Sequence, residues 1–328
     1  MRAILFLLFF PLLLMAQTVE MKSINNSMNN LSTFRNTKKI DYSNNLSLSE
    51  KFSRSFYQDY TSPFSLNSLS GIRDVGTNLQ SSAYWQYSSN ILGYLSYLGI
   101  KTETRTERSG YYSTEKTEIK VTPLGYALSI GSTVSSLVSI YNTGRAGERL
   151  YIIGKNLPSE YGYKLVDAGN NLKSYRTLSY ISSGLGLASS ILLQSSLNEL
   201  NNDKDIEDVS GQIYAAGGLA LAGLVFKIIA VDNVGEAGVQ IESFSNDLHD
   251  PRAKNYFSNC GIKLKKFEKR WDAGLIVIGS GLVALMIPNP LAALSGLCLI
   301  IVGDIISSWI APSNMSSAGS ALYDFEDR

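Results

Sequence analysis

Few residues in this chain are spaced to do chemistry. The run Leu275-Ile276-Val277-Ile278 leads into Gly279, Gly281 and Ala284 in a GxGxxA pattern, and Asp304 closes a second apolar run. After a strand, such glycines let a backbone approach a pyrophosphate, and a later acid meets a ribose. Here Pro288 and Pro290 would break the following helix at once, and only 24 residues remain after Asp304. That is too little chain for the rest of a nucleotide-binding sheet, so the run reads as a helix.

The other candidates are as sparse. His249 is the only histidine, which rules out a histidine-rich metal site and leaves a Ser-His-Asp triad without identifiable partners. The acids between Glu199 and Asp208 match no calcium-loop spacing. Cys260 and Cys298 are expected to be free thiols, because one lies in a polar stretch and the other in an apolar one. No catalytic residue, metal ligand or cofactor is expected, and the chain reads as a non-enzyme. Asp304 stands out within an apolar stretch. In a membrane bundle such an acid lines a polar path or pairs with a lysine; in a soluble bundle it marks a helix end or an exposed position.

The elements that would position these residues come from a repeated phrase: Asn, three residues, Ala-Gly, then two large apolar residues at steps of three. It occurs as Asn142-Ala146-Gly147-Leu150-Ile153, as Asn233-Ala237-Gly238-Ile241-Phe244, and as Asn314-Ala318-Gly319-Leu322-Phe325. The first two copies are 91 residues apart, and so are Gly93 and Gly184, each 49 residues before its phrase. Long periods of this kind indicate repeated supersecondary units. Each phrase follows a pair of apolar or half-apolar segments, at 78–100 and 122–142, 175–199 and 209–232, and 268–287 and 291–311. The phrase is expected to act as a turn after each pair, with Asn favouring the turn and Ala-Gly allowing close contact.

The expected fold is therefore all-α: three helical-hairpin repeats, at 75–160, 161–255 and 256–328. The Thr-and-charge alternation near 101–120 reads as a small β-hairpin or a polar loop. Small residues recur on one face of several helices, as in Gly125, Ser129, Ser132, Ser136 and Ser139. Gly131, Gly186, Gly218, Ala222, Gly296 and Gly303 are expected to permit close helix packing.

Residues 1–16 resemble a secretory signal peptide, with Arg2 before an apolar run and a cut after Ala16. Residues 17–74 are Asn/Ser-rich and read as a loose arm. The net charge of +1 gives no reason to expect a nucleic-acid partner. Long uncharged runs, bracketed by Tyr126 and Tyr141 and by Trp271 and Trp309, favour a lipid membrane as partner. Serine content and charge placement speak for a soluble bundle instead. Three hairpins put most Lys and Arg on the side of the arm, which a cleaved leader would export, and exported loops disfavour such charge. The conflict disappears if the first segment does not cross, or if nothing spans. The Met15-Ala16-Gln17 leader end, the Asn/Ser-rich arm and the Gly-stippled helix pairs resemble uncharacterised exported envelope proteins of Bacteroidetes-type bacteria, a resemblance that implies no activity. The expected role is a non-enzymatic envelope protein: a membrane-embedded scaffold or the component of a homo-oligomeric pore, with no protein partner identified. The alternative is a soluble exported binding or assembly module.

Overall fold

The computed structural model describes residues 69–109, 112–201, 206–285 and 290–326. The leader, most of the arm and the turns around 202–205 and 286–289 lie outside these residues. Helix α1 spans Ile72–Ser96, and a short 3-10 turn at Tyr97–Gly99 leads into strands β1 (Ile100–Ser109) and β2 (Tyr112–Val121). Helices α2 (Pro123–Asn156), α3 (Ser159–Asn201), α4 (Ile206–Ser245) and α5 (Pro251–Leu285) follow. Helix α6 (Pro290–Ile305) continues through a π-helical turn at Ile306–Ile310 into α7 (Ala311–Glu326). The fold is all-α apart from one antiparallel hairpin, whose register runs from Ile100 opposite Val121 to Ser109 opposite Tyr112.

Local chemistry sets several boundaries. Gly71 adopts φ 89°, a left-handed conformation open to glycine, and its carbonyl accepts from the Asp74 amide at the start of α1. The Thr122 side chain caps α2 by accepting from the Gly125 amide, and Pro123 sits in the first turn, where a missing N–H costs nothing. Helix α1 thus begins inside the stretch read as arm, and Leu69 and Ile72 are already buried.

Each helix packs against its chain neighbours, and α7 packs against α1, which closes a ring. The helices are much longer than their apolar runs. The polar stretches 145–176 and 232–271 are helical except for 157–158 and 246–250. Charge there marks the outer face of a helix rather than a loop, because Ala146, Leu150, Ile153, Leu165, Ala168 and Leu172 recur at steps of three and four and are all buried.

The repeated phrase is corrected in the same way. All three copies lie inside helices, in α2, α4 and α7. The amides of Asn233 and Asn314 donate to the carbonyls of Ile229 and Ile310, four residues back in the same helix, so they serve the helix rather than a turn. The Ala-Gly step places a glycine against a glycine of the neighbouring helix. A Cβ built on Gly147 would lie 2.7 Å from the Gly169 carbonyl oxygen, on Gly238 2.7 Å from that of Gly261, and on Gly319 2.5 Å from that of Gly76. The three copies therefore occupy corresponding crossings, α2 on α3, α4 on α5 and α7 on α1. Around them sits the core, where Phe257 makes edge-on contacts with Phe244 and Phe325, at 5.2 and 5.8 Å between ring centres.

Candidate functional site

The other end of the ring has the opposite chemistry. No Asp, Glu, Lys or Arg occurs in Val75–Ile100, Val121–Gly144, Thr177–Asn198, Val209–Phe226 or Ala273–Gly303. Large aliphatics on these runs face outward: Ile130 is 64% exposed, Ile191 67%, Leu221 66%, Ile276 69% and Leu291 74%. Three helical stretches, Pro123–Asn156, Val209–Ser245 and Leu294–Phe325, are long and apolar enough to cross a membrane.

A subset of polar side chains turns inward, whereas Ser190, Ser280 and Ser295 are exposed and donate to the carbonyls four residues back in their own helices. On the α1–α2 seam, Ser139 donates to the Ser82 carbonyl at 2.8 Å, and the Ser82 hydroxyl meets those of Ser139 and Thr143 at 3.1 and 2.7 Å. Two turns along, Ser89 and Ser132 exchange hydroxyl-to-carbonyl bonds, both at 2.8 Å. The seven-residue spacing on both helices matches an antiparallel pair in which small polar residues let the backbones approach. The serine stripe foreseen on α2 thus becomes a hydrogen-bonded seam, and Gly131 lies on it, 3.3 Å from Leu92 by a built Cβ.

Asp304 lies on the seam between α1 and α6. Its carboxylate accepts from the Tyr94 hydroxyl and, at 2.8 Å, from Ser308. The Trp309 ring stacks on Tyr87 and Tyr94, with centres 5.8 and 6.1 Å apart, and the Asn90 amide donates to the Ser308 carbonyl. Asp304 sits within a continuous helical rod just before the π-turn, not at a helix end. Extra-residue turns of this kind free backbone groups and are frequent at functional sites. Trp309, expected at a membrane rim, is half-buried against these two α1 tyrosines.

At the centre of the ring all six rods contribute to a cavity of about 60 Å³. Its wall includes Gln86 from α1, Tyr175 from α3, Lys227 from α4, Trp271 from α5 and Ser308 from the π-turn. The Lys227 ammonium donates to the Tyr175 and Ser179 hydroxyls, each at 3.3 Å, and lies 4.9 Å from the Tyr175 ring centre. Trp271, the other expected rim aromatic, also faces this space.

The remaining packing candidates are distributed unevenly. A Cβ on Gly303 would lie 2.6 Å from the Gly274 carbonyl oxygen, and one on Gly281 2.6 Å from that of Gly296, so α5 and α6 cross on paired glycines. Of the glycine pattern that mimicked a nucleotide fingerprint, Gly281 belongs to this crossing, whereas a Cβ on Gly279 would meet nothing within 4 Å. On the α3–α4 seam the close residue is Gly223, whose Cβ would meet the Ser182 carbonyl oxygen at 3.2 Å and the Gly186 nitrogen at 3.7 Å. Side chains built on Gly186 and Gly218 themselves would meet nothing within 4 Å, and Ala222 is half-buried.

Elsewhere, Asp232, Glu268 and Asp272 bring carboxylate oxygens within 4.8 Å of one another. Burial, and then the neighbouring carboxylates, raise the Glu268 and Asp272 carboxyls above their usual range. Burial likewise raises the Cys260 thiol, which is free and enclosed in α5, while Cys298 is free and exposed on α6. His249 is exposed in the turn between α4 and α5.

No protein-family model, curated protein or solved structure matches the chain. Sequence reasoning missed the Lys227 cavity and the partner glycines Gly76, Gly169 and Gly261. A signal for the glycines existed: each is followed by leucine three residues later, at Leu79, Leu172 and Leu264. Lys227 had only the weaker signal of being the first charge after the Val209–Phe226 run.

Proposed function

We propose that this chain is an exported, non-enzymatic envelope protein whose helical ring is embedded in a membrane and serves as a scaffold. The observation that carries this reading is the inversion of polarity at one end of the ring. Large aliphatic side chains there lie on the outside of uncharged runs, while Ser82, Ser89, Ser132, Ser139, Asn90 and Asp304 face neighbouring helices. A soluble bundle needs the reverse, and lipid is the solvent that stabilises such a surface. At 1.5 Å per residue, the first four uncharged runs are roughly 27–39 Å long, close to or above a hydrocarbon layer of about 30 Å, while the fifth folds back as a hairpin whose arms, Ala273–Leu285 and Pro290–Gly303, are each roughly 20 Å.

Helix α1 shares this environment. Its serine seam with α2 and its contact with α7 make it a full member of the ring, so a reading in which it alone stays outside the membrane loses support. The basic residues Lys263, Lys265, Lys266, Lys269 and Arg270 come just before the uncharged part of α5, where they meet headgroups. Assembly of several rings into a pore is the finer form of this proposal, with the exposed aliphatic belt as the contact surface.

Alkaline carbonate treatment of membranes from cells expressing the full chain tests the reading. Retention in the pellet, with release by detergent, is expected. Quantitative release by carbonate would make the chain a peripheral or soluble bundle.

A further inference from the structure

We propose that the central cavity is a binding site for a small monovalent anion, of the size of a halide, nitrate or formate, with Lys227 as its counter-charge. Among the described residues, Lys227 is the ionised side chain on the cavity wall, and no carboxylate lines that wall or pairs with it. Its hydrogen-bond partners are the neutral hydroxyls of Tyr175 and Ser179, at the long distance of 3.3 Å. A half-buried ammonium with neutral partners gains most from an anion, because removing charge from water is costly unless it is compensated.

Donor accounting points the same way. The serine protons of the wall are committed elsewhere: Ser82 to the Thr143 hydroxyl, Ser139 to the Ser82 carbonyl, Ser307 to the Gly303 carbonyl, and Ser308 to Asp304. Four donors remain. Lys227 keeps a third ammonium proton. Tyr175 accepts from Lys227, so its own O–H is available. Gln86 uses one amide N–H on Asn90 and retains the other, and Trp271 carries an indole N–H. Four donors on one cavity wall, one of them charged, suit an anion and repel a cation. A cavity of about 60 Å³ admits a small ion with a water, which sets the size class.

The site stands whether the ring lies in lipid or in water, so its failure is separate from that of the membrane proposal. The purified full chain is titrated with sodium bromide at constant ionic strength, balanced by gluconate, and tryptophan fluorescence is recorded. A saturable quench is expected, lost in Trp271→Phe, abolished in Lys227→Met and kept within about tenfold in Lys227→Arg. Formate should displace bromide competitively, and gluconate should not. A linear, non-saturating quench, the same in wild type and Lys227→Met, would overturn the proposal. If Lys227→Met does not fold, competition by formate in the wild-type chain decides: saturable displacement supports the site, and its absence refutes it.

Discussion

Gly147 and Gly169 face each other so closely across α2 and α3 that a Cβ on either would lie within 2.7 Å of the other's carbonyl oxygen. Gly238 with Gly261 and Gly319 with Gly76 repeat the arrangement. In an open helix, glycine to alanine gains up to about 1 kcal/mol. At these crossings the added methyl meets backbone, which cannot swing aside.

Gly238→Ala is therefore expected to destabilise the fold by roughly 1–3 kcal/mol, as overpacking does in other cores. Gly218→Ala, at a position open in the structure, should be neutral or stabilising by up to about 1 kcal/mol. Unfolding of both variants in mild detergent measures the contrast. Equal effects would deny the glycine crossings their special status.

The serine seam predicts coupling rather than a large single effect. Ser82→Ala and Ser139→Ala should each cost up to about 2 kcal/mol. A double-mutant cycle should return a coupling near 0.6 kcal/mol, the average for hydrogen bonds between membrane helices. Strict additivity would place the two hydroxyls out of contact.

The two native thiols report on the belt. Cys298 is exposed on an uncharged run, whereas Cys260 is enclosed and its thiol is held in the protonated form by burial. In intact membranes Cys298 should resist a water-soluble maleimide and react with a lipid-soluble one. Cys260 should label only after denaturation. Fast labelling of Cys298 by the water-soluble reagent would place the belt in water.

The acidic cluster predicts a pH dependence. Glu268 and Asp272 have folded-state carboxyls raised above their ordinary values of 4.5 and 3.8. The folded state then holds protons that the unfolded state has released, so stability falls as pH rises from those values through the raised ones. Glu268→Gln should raise the melting temperature at neutral pH, and the gain should vanish below about pH 4. A gain that persists unchanged in acid would point to packing instead of charge.

The all-α class and the near ends of the helices were legible in the sequence. Uncharged runs announce helices by length and composition, so the expected starts at 122 and 291 fall next to Pro123 and Pro290. The far ends were illegible, because no uncharged run extends into them. Arg149, Lys155 and Glu160 are polar in sequence yet sit on the outside of helices whose inner face carries Leu150, Ile153 and Leu165. A period of three and four was present there, but it was diluted by the charged face.

Of the site, Asp304 was visible as an acid in an apolar run. Its partner Tyr94 lies 210 residues away, and nothing local links the two. Lys227, Tyr175 and Trp271 become a constellation only when α3, α4 and α5 stand side by side. By itself, then, the chain determined where helices form, which of their stretches avoid charge, and that one Ala-Gly phrase recurs. These follow from composition and short-range period, which act within a few turns. Tertiary structure alone decided which glycine meets which, which serines share protons, and that one lysine faces a central cavity. Such pairings depend on helix register across the ring, and register is set by the sum of many weak contacts between segments far apart in sequence.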